Sequence, residues 1–247
     1  GAFDANGGTM VFDGTAGSTI AAGTFTYNNV EINANKIAAP GTFTITGTLN
    51  LGGTGALDLA SNNTALDVTG ITTNQGVITG GLANLLFRNN YNGGTGSLTG
   101  AGPDFTTQFL LDATFGNFTH NSGEVLFSGG NAQSVTMPTV GNFNTLTINK
   151  SDNTWSTATT AAASTANLSL QGAGTITFTG DFDVTGSFSN PGSTASILFT
   201  GDGSRIDPAA TFLTTGTVTI GNDSADTLTF AGGFTHKAGS TVLAGTL

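Results

Sequence analysis

The side chains that could do chemistry are few. The chain holds two histidines. His120 and His236 stand at the same place in two copies of one short pattern, Phe-Thr-His-Asn and Phe-Thr-His-Lys, and another copy has Ala5 there. Residues far apart in sequence at matching slots of a repeat are repetition and do not make an active-site constellation, so neither catalysis nor metal ligation is expected of them. Asp181 and Asp183 flank Phe182 and would share the outward face of a strand. Carboxylates two apart could serve a polysaccharide hydrolase or bind calcium, but a solvated strand face is the simpler expectation. No Ser-His-Asp order, His-Glu-x-x-His helix or phosphate loop is present. There is no cysteine, so neither a disulfide framework nor a cysteine-based metal site exists. The expectation is a non-enzyme, with no catalytic, cofactor-binding or metal residue and no cofactor.

The elements that would carry any site are repetitive. Phe118–Gly129 reads FTHNSGEVLFSG, and the arrangement recurs at Phe3–Gly14 and Phe234–Gly245. Each places Gly five residues after the Phe (Gly8, Gly123, Gly239) and a large apolar residue nine after it (Phe12, Phe127, Leu243). A looser copy runs from Phe188 to Gly201. Copies of one pattern in one chain predict a repeat architecture. Between them lies a finer rhythm: Phe43 and Ile45, Leu49 and Leu51, Leu57 and Leu59, Leu66 and Val68, Val77 and Ile78. Period two means strand, and Gly, Asn62, Asn63 and Asn74 suit the corners between strands. Strands so short fit coil faces that pair with the next coil.

The fold class expected is therefore all-β, a parallel β-helix (β-solenoid) with imperfect repeats, about 10–12 coils of roughly 20–25 residues. An antiparallel β-sandwich, single or paired, is the alternative. Residues 1–247 read as one elongated repeat domain, with repeat openings near 3, 118, 188 and 234. An irregular excursion is expected over 85–115. The Ala/Thr stretch after Trp155 admits either a helix over 157–166 or a tight coil face, although its Thr content lowers helix propensity.

Composition narrows the classes. Charged residues make up 8%, with Lys plus Arg 5 against Asp plus Glu 15 and a net charge of −10. Five scattered cations do not make a nucleic-acid footprint. No apolar run approaches the ~20 residues of a membrane span, and no membrane insertion is expected. At 37% hydrophobic with 18 Phe, there is material for a core. A Gly-, Thr-, Ser-, Asn- and Ala-rich chain this poor in charge points to an extracellular or cell-surface location.

The pattern FTHNSGEVLFSG followed by FNTLTINKS, clearest over 118–151, resembles repeats of large secreted bacterial surface proteins, the adhesin-like, filamentous-haemagglutinin-type β-solenoids. The resemblance implies an extracellular, non-catalytic stalk, fibre or adhesin module and carries over no functional residue. Gly221–Gly233, GNDSADTLTFAGG, is similar over a dozen residues to the calcium-binding turn of secreted RTX repeats, with Asp223 and Asp226 as would-be ligands. It lacks the Gly-Gly-x-Gly opening. Thr-x-Thr runs at Thr42–Thr44, Thr175–Thr177 and Thr217–Thr219 could form a flat hydroxyl array of the kind solenoid ice-binding proteins use, but their spacing along the sequence is irregular. Since neither end of the chain reads as a polar cap, head-to-tail self-assembly into a surface fibre or filament is expected, with the chain itself as partner. The alternative is a segment of a large adhesin or carbohydrate-binding surface protein. Surface glycans are then candidate partners, and Trp155, Tyr27 and Tyr91 the aromatics that would meet them. A β-helix polysaccharide-degrading enzyme ranks below both.

Overall fold

In the computed structural model, which describes residues 7–137, 141–157 and 163–247, every strand pairs in parallel with the equivalent strand of a neighbouring coil. The protein is a parallel β-solenoid, and no helix occurs among the described residues. The sandwich alternative would need antiparallel ladders. The chain forms two compact units, 1–125 and 126–247. The opening at Phe3 and residues 158–162 of the Ala/Thr stretch lie outside the described residues. The flanks of that stretch, Thr154–Thr157 and Ala163–Gly172, are strands.

In the first unit each coil has three short faces. One full turn runs Thr42–Ile45, Leu49–Leu51, Ala56–Asp58 and then Ala65–Val68, which lies on Thr42–Ile45. Alternation decides what goes inside. Phe43 stacks on Leu66 and then Leu85, while Ile45 stacks on Val68, Phe87 and Phe109, all buried. The Phe87 and Phe109 rings lie 5.1 Å apart and nearly parallel. Outward neighbours such as Thr44 and Asp67 carry no such requirement.

Residues 85–115, expected as an excursion, are ordinary coil. Leu85–Phe87, Tyr91–Asn92, Ser97–Thr99 and Thr106–Phe109 each pair in register with the coil before. Their inward positions are partly polar or small, Thr107 and Ala113 among them, and that hides the alternation. Asn74, expected at a corner, points inward from Thr72–Asn74 in the column of Ile32 and Leu51. It is fully buried and satisfied: Nδ2 donates to Tyr91 OH and Ser97 O (both 2.9 Å), and Oδ1 accepts from Gly76 N (3.1 Å). Asn63 does turn a corner at positive φ (49°).

One corner of this unit is a glycine column. Gly55, Gly76, Gly96 and Gly116 each precede a strand of the third face, that of Ala56–Asp58. A Cβ on Gly76 would collide with Gly55 O, and one on Gly116 with Gly96 O. The same carbonyls accept the ladder bonds of the next coil, Val77 N to Gly55 O (2.9 Å) and Asn117 N to Gly96 O (2.9 Å).

The second unit has one face of short strands and one of long ones. Thr154–Thr157, Thr175–Phe178, Ser196–Phe199, Thr217–Ile220 and Ser240–Leu243 form the first. Inward columns run Trp155, Ile176, Ile197, Val218 and Thr157, Phe178, Phe199, Ile220. The second face holds Gly141–Lys150 and Ala163–Gly172, ten residues each.

The sequence repeat does not mark one slot throughout. In the first unit, Thr9–Phe12 lies on the face of Asn29–Ile32, whereas the strand opening at Glu124 follows Phe105, whose carbonyl accepts Glu124 N. The motif describes strand, glycine corner and strand, and any corner of a solenoid satisfies it.

Candidate functional site

The histidines are held by local bonds. His120 is half-buried just after the strand Asn117–Thr119, where its Nδ1 accepts from Ser122 N (3.3 Å). His236 ends the strand Phe234–His236, with Nε2 3.1 Å from Thr214 O and Nδ1 2.9 Å from Thr241 Oγ1. A carbonyl can only accept, so Nε2 carries the proton and Nδ1 accepts from the hydroxyl. The ring fastens successive coils together.

Asp181 and Asp183 flank buried Phe182, as the alternation requires. Asp181 Oδ1 accepts from Gly203 N (2.8 Å). Desolvation pushes the Asp183 carboxyl above the ordinary aspartate value, against a bond from the Arg205 backbone that lowers it. In the turn that resembles a calcium loop, Asp226 Oδ2 accepts from Asn222 N and Asp223 N, while Asp223 Oδ1 accepts from Ala225 N (2.8 Å). Asp202 shares a hydrogen bond with Asp226. That bond is the main cause holding Asp202 above the ordinary value, and the Asn222 amide is the main cause holding Asp226 below it. These carboxylates close turns and bind one another, and no group of three His, Cys, Asp or Glu that could hold a metal occurs among the described residues.

Two buried lysines were not legible in the sequence. Lys36 Nζ donates to Gly14 O (3.2 Å), Thr15 O (2.9 Å) and Ser18 Oγ (2.8 Å) and so pins the corner of the preceding coil. Lys150, fully buried, donates to Asn131 O (2.6 Å) and Gln133 Oε1 (2.7 Å). The only sequence signal is a lysine at the inward phase of a strand. Burial lowers the Lys150 ammonium below its ordinary 10.5. The folded state then holds that proton less tightly than the unfolded one, so its contribution to stability rises with pH through the window below 10.5 and is level above it. Tyr27 and Tyr91, raised by burial, act oppositely, because the unfolded chain loses those protons first. Comparison with Lys150→Met isolates the lysine. The difference in urea midpoint between wild type and variant should shift toward the wild type from mildly alkaline pH to about 10.5. A difference independent of pH would contradict a desolvated ammonium.

The largest ordered feature is a neutral hydroxyl face on the second unit. The Thr-x-Thr runs, irregular along the sequence, are in register in space. Thr154 aligns with Thr175, and Thr175 with Ser196; Ser156 aligns with Thr177, then Leu198, then Thr219. Thr217 aligns with Ser240, their hydroxyls 3.0 Å apart, and Thr219 with Val242. None of these strands carries a charged residue. Thr42–Thr44 belongs to the first unit, where its neighbours in register are Ala65 and Asp67.

The aromatics proposed for glycans are interior: Trp155 and Tyr91 are 1% exposed and Tyr27 5%. Comparisons with protein-family models, curated proteins and solved structures find no match.

Proposed function

We propose that the protein is a non-catalytic, extracellular structural module of a bacterial surface protein that joins head to tail into a fibre. The observation that supports this most is the open end of the second unit's core. Ser240–Leu243 pairs on one side only, with Thr217–Ile220. Leu243 occupies the inward column of Ile220, yet it is 59% exposed where Ile220 is 1%. In the first unit Thr9–Phe12 likewise ends its sheet, pairing only with Asn29–Ile32. Among the described residues each strand is paired on one side only, and its other side is a template for a further parallel strand. A strand supplied by a second copy makes a heterologous contact that does not close on itself, which propagates as a filament. The composition and the repeat pattern favour the extracellular setting. Burial of Trp155, Tyr27 and Tyr91 leaves the glycan-binding alternative without the platform it relied on.

Negative-stain imaging across a concentration series tests the reading. Filaments that lengthen with concentration are expected for the wild type. Leu243→Asp, placing a carboxylate on the core end, should leave discrete particles with an unchanged circular-dichroism spectrum. Discrete wild-type particles at every concentration would overturn the fibre.

A further inference from the structure

We propose that the hydroxyl face of the second unit binds ice. Three features on that face support one occupant, a neutral crystalline lattice of water. The first is periodicity. Neighbouring strands of a sheet are about 4.8 Å apart, and outward residues two apart along a strand are about 6.6 Å apart. Thr175 and Thr177, with Thr217 and Thr219 two strands on, therefore mark out a rectangular net close to the oxygen repeats of hexagonal ice. The second is chemistry. The outward positions of the strands from Thr154–Thr157 to Thr217–Ile220 are Thr and Ser, interrupted by Leu198, and the last strand, Ser240–Leu243, also shows Val242 and Leu243 to solvent. Threonine offers a hydroxyl that joins a water network and a methyl that sits in its cages. A charged group would instead hold water in a shell incompatible with the lattice. The unit's charges lie off these strands: Asp183 and Arg205 are on the other face, Asp152 is in the bend before Thr154, and Asp223 and Asp226 are in the turn after Ile220.

The third feature is stiffness. From Thr154 to Thr219, each outward Thr or Ser stands on a strand whose intervening side chain is locked in the core, Trp155, Ile176, Ile197 or Val218, all at most 1% exposed. Such a face is pre-organised, and a threonine has one principal rotor to fix. Threonine's preference for exposed strand positions would explain scattered residues. It does not explain the exclusion of amides and charges from this sheet, since the other face of this unit carries Asn142, Asn149, Gln171, Asp183 and Arg205 outward among its Thr and Ser. A flat lattice partner also fits the absence of aromatic side chains and charges from these outward positions.

The experiment is nanolitre osmometry on seeded ice crystals, with ice-recrystallisation inhibition as a second readout. Faceted crystals and a gap between melting and growth temperatures are expected for the wild type. Thr177→Tyr and Thr219→Tyr, each placing a ring above the net, should reduce that gap several-fold. Thr229→Tyr, outward on the other face, should leave it unchanged. Circular dichroism of all three variants verifies the fold. Round, freely growing crystals with the wild type, or equal loss in the Thr229 variant, would overturn the proposal. Loss of filaments in Leu243→Asp with ice activity retained would separate this face from the fibre contact.

Discussion

Gly76→Ala should destabilise the first unit by about 3 kcal/mol or more, the upper range for overpacking at a site that cannot relax. The methyl would be driven into Gly55 O, and Gly52 O lies 2.7 Å away on the same side. Neither obstacle is a flexible side chain. Gly55 O accepts Val77 N at 2.9 Å, and Gly76 O in turn accepts Ser97 N at 2.8 Å. The coils cannot separate locally without giving up ladder bonds on both sides. The control is Gly53→Ala, where the added methyl meets nothing within 4 Å. There the loss of unfolded-state freedom alone should stabilise by about 0.4–1 kcal/mol. Urea midpoints of the two variants should move in opposite directions. If Gly76→Ala behaves like Gly53→Ala, the coils do not approach closely at this corner and the register is wrong.

What the sequence disclosed follows from that same corner. Where inward residues are large and aliphatic, as with Phe43, Ile45, Leu49 and Leu51, period two is visible and the glycines between the pairs mark real turns. Legibility fails where the core accepts other chemistry. Thr107 and Ala113 face inward without breaking the coil, so residues 85–115 looked irregular. Asn74 took an interior slot because Tyr91 OH, Ser97 O and Gly76 N satisfy its amide, a condition set by the next coil and invisible in a window of sequence. Lys36 and Lys150 are interior for the same reason: backbone carbonyls of the preceding coil receive their ammonium groups. The hydroxyl face was named and set aside for a different cause. Its strands recur almost regularly, Trp155 meeting Ile176, Ile176 meeting Ile197 and Ile197 meeting Val218, each 21 residues on. Ser196 and Leu198 break the Thr-x-Thr motif between its two copies, and Thr42–Thr44 belongs to the first unit, so a search for Thr-x-Thr alone finds no period. The asymmetry runs the other way for the histidines, whose matching sequence context suggested matching slots. His120 follows a strand on the face of Ala56–Asp58, and His236 ends a strand that among the described residues pairs only with Ala210–Phe212.

Trp155→Ala should cost the second unit about 3–5 kcal/mol, as expected for deleting a buried aromatic whose cavity cannot collapse. The indole lies 1% exposed between Phe127 and Phe178, with ring centroids at 5.7 and 5.3 Å, and carries its column on into Ile176 and Ile197. Trp155→Phe should behave differently. The indole nitrogen is buried with no hydrogen-bond partner among the described residues, a state that costs about 1–3 kcal/mol. A phenyl ring removes that penalty while keeping most of the apolar contact, so the loss of volume and the gain in satisfaction oppose each other and the change should stay within about 1.5 kcal/mol. Equal, large losses in both variants would mean that the indole N–H is bonded after all. Equal, small losses would mean that the aromatic column is not the core. The outcome also bears on the face above it. Thr154 and Ser156 are the chain neighbours of Trp155 and stand on the backbone that its ring anchors. Trp155→Ala should therefore loosen that end of the hydroxyl net, and Trp155→Phe should leave it in register, a difference that hydrogen exchange at the amides of 154–157 would resolve.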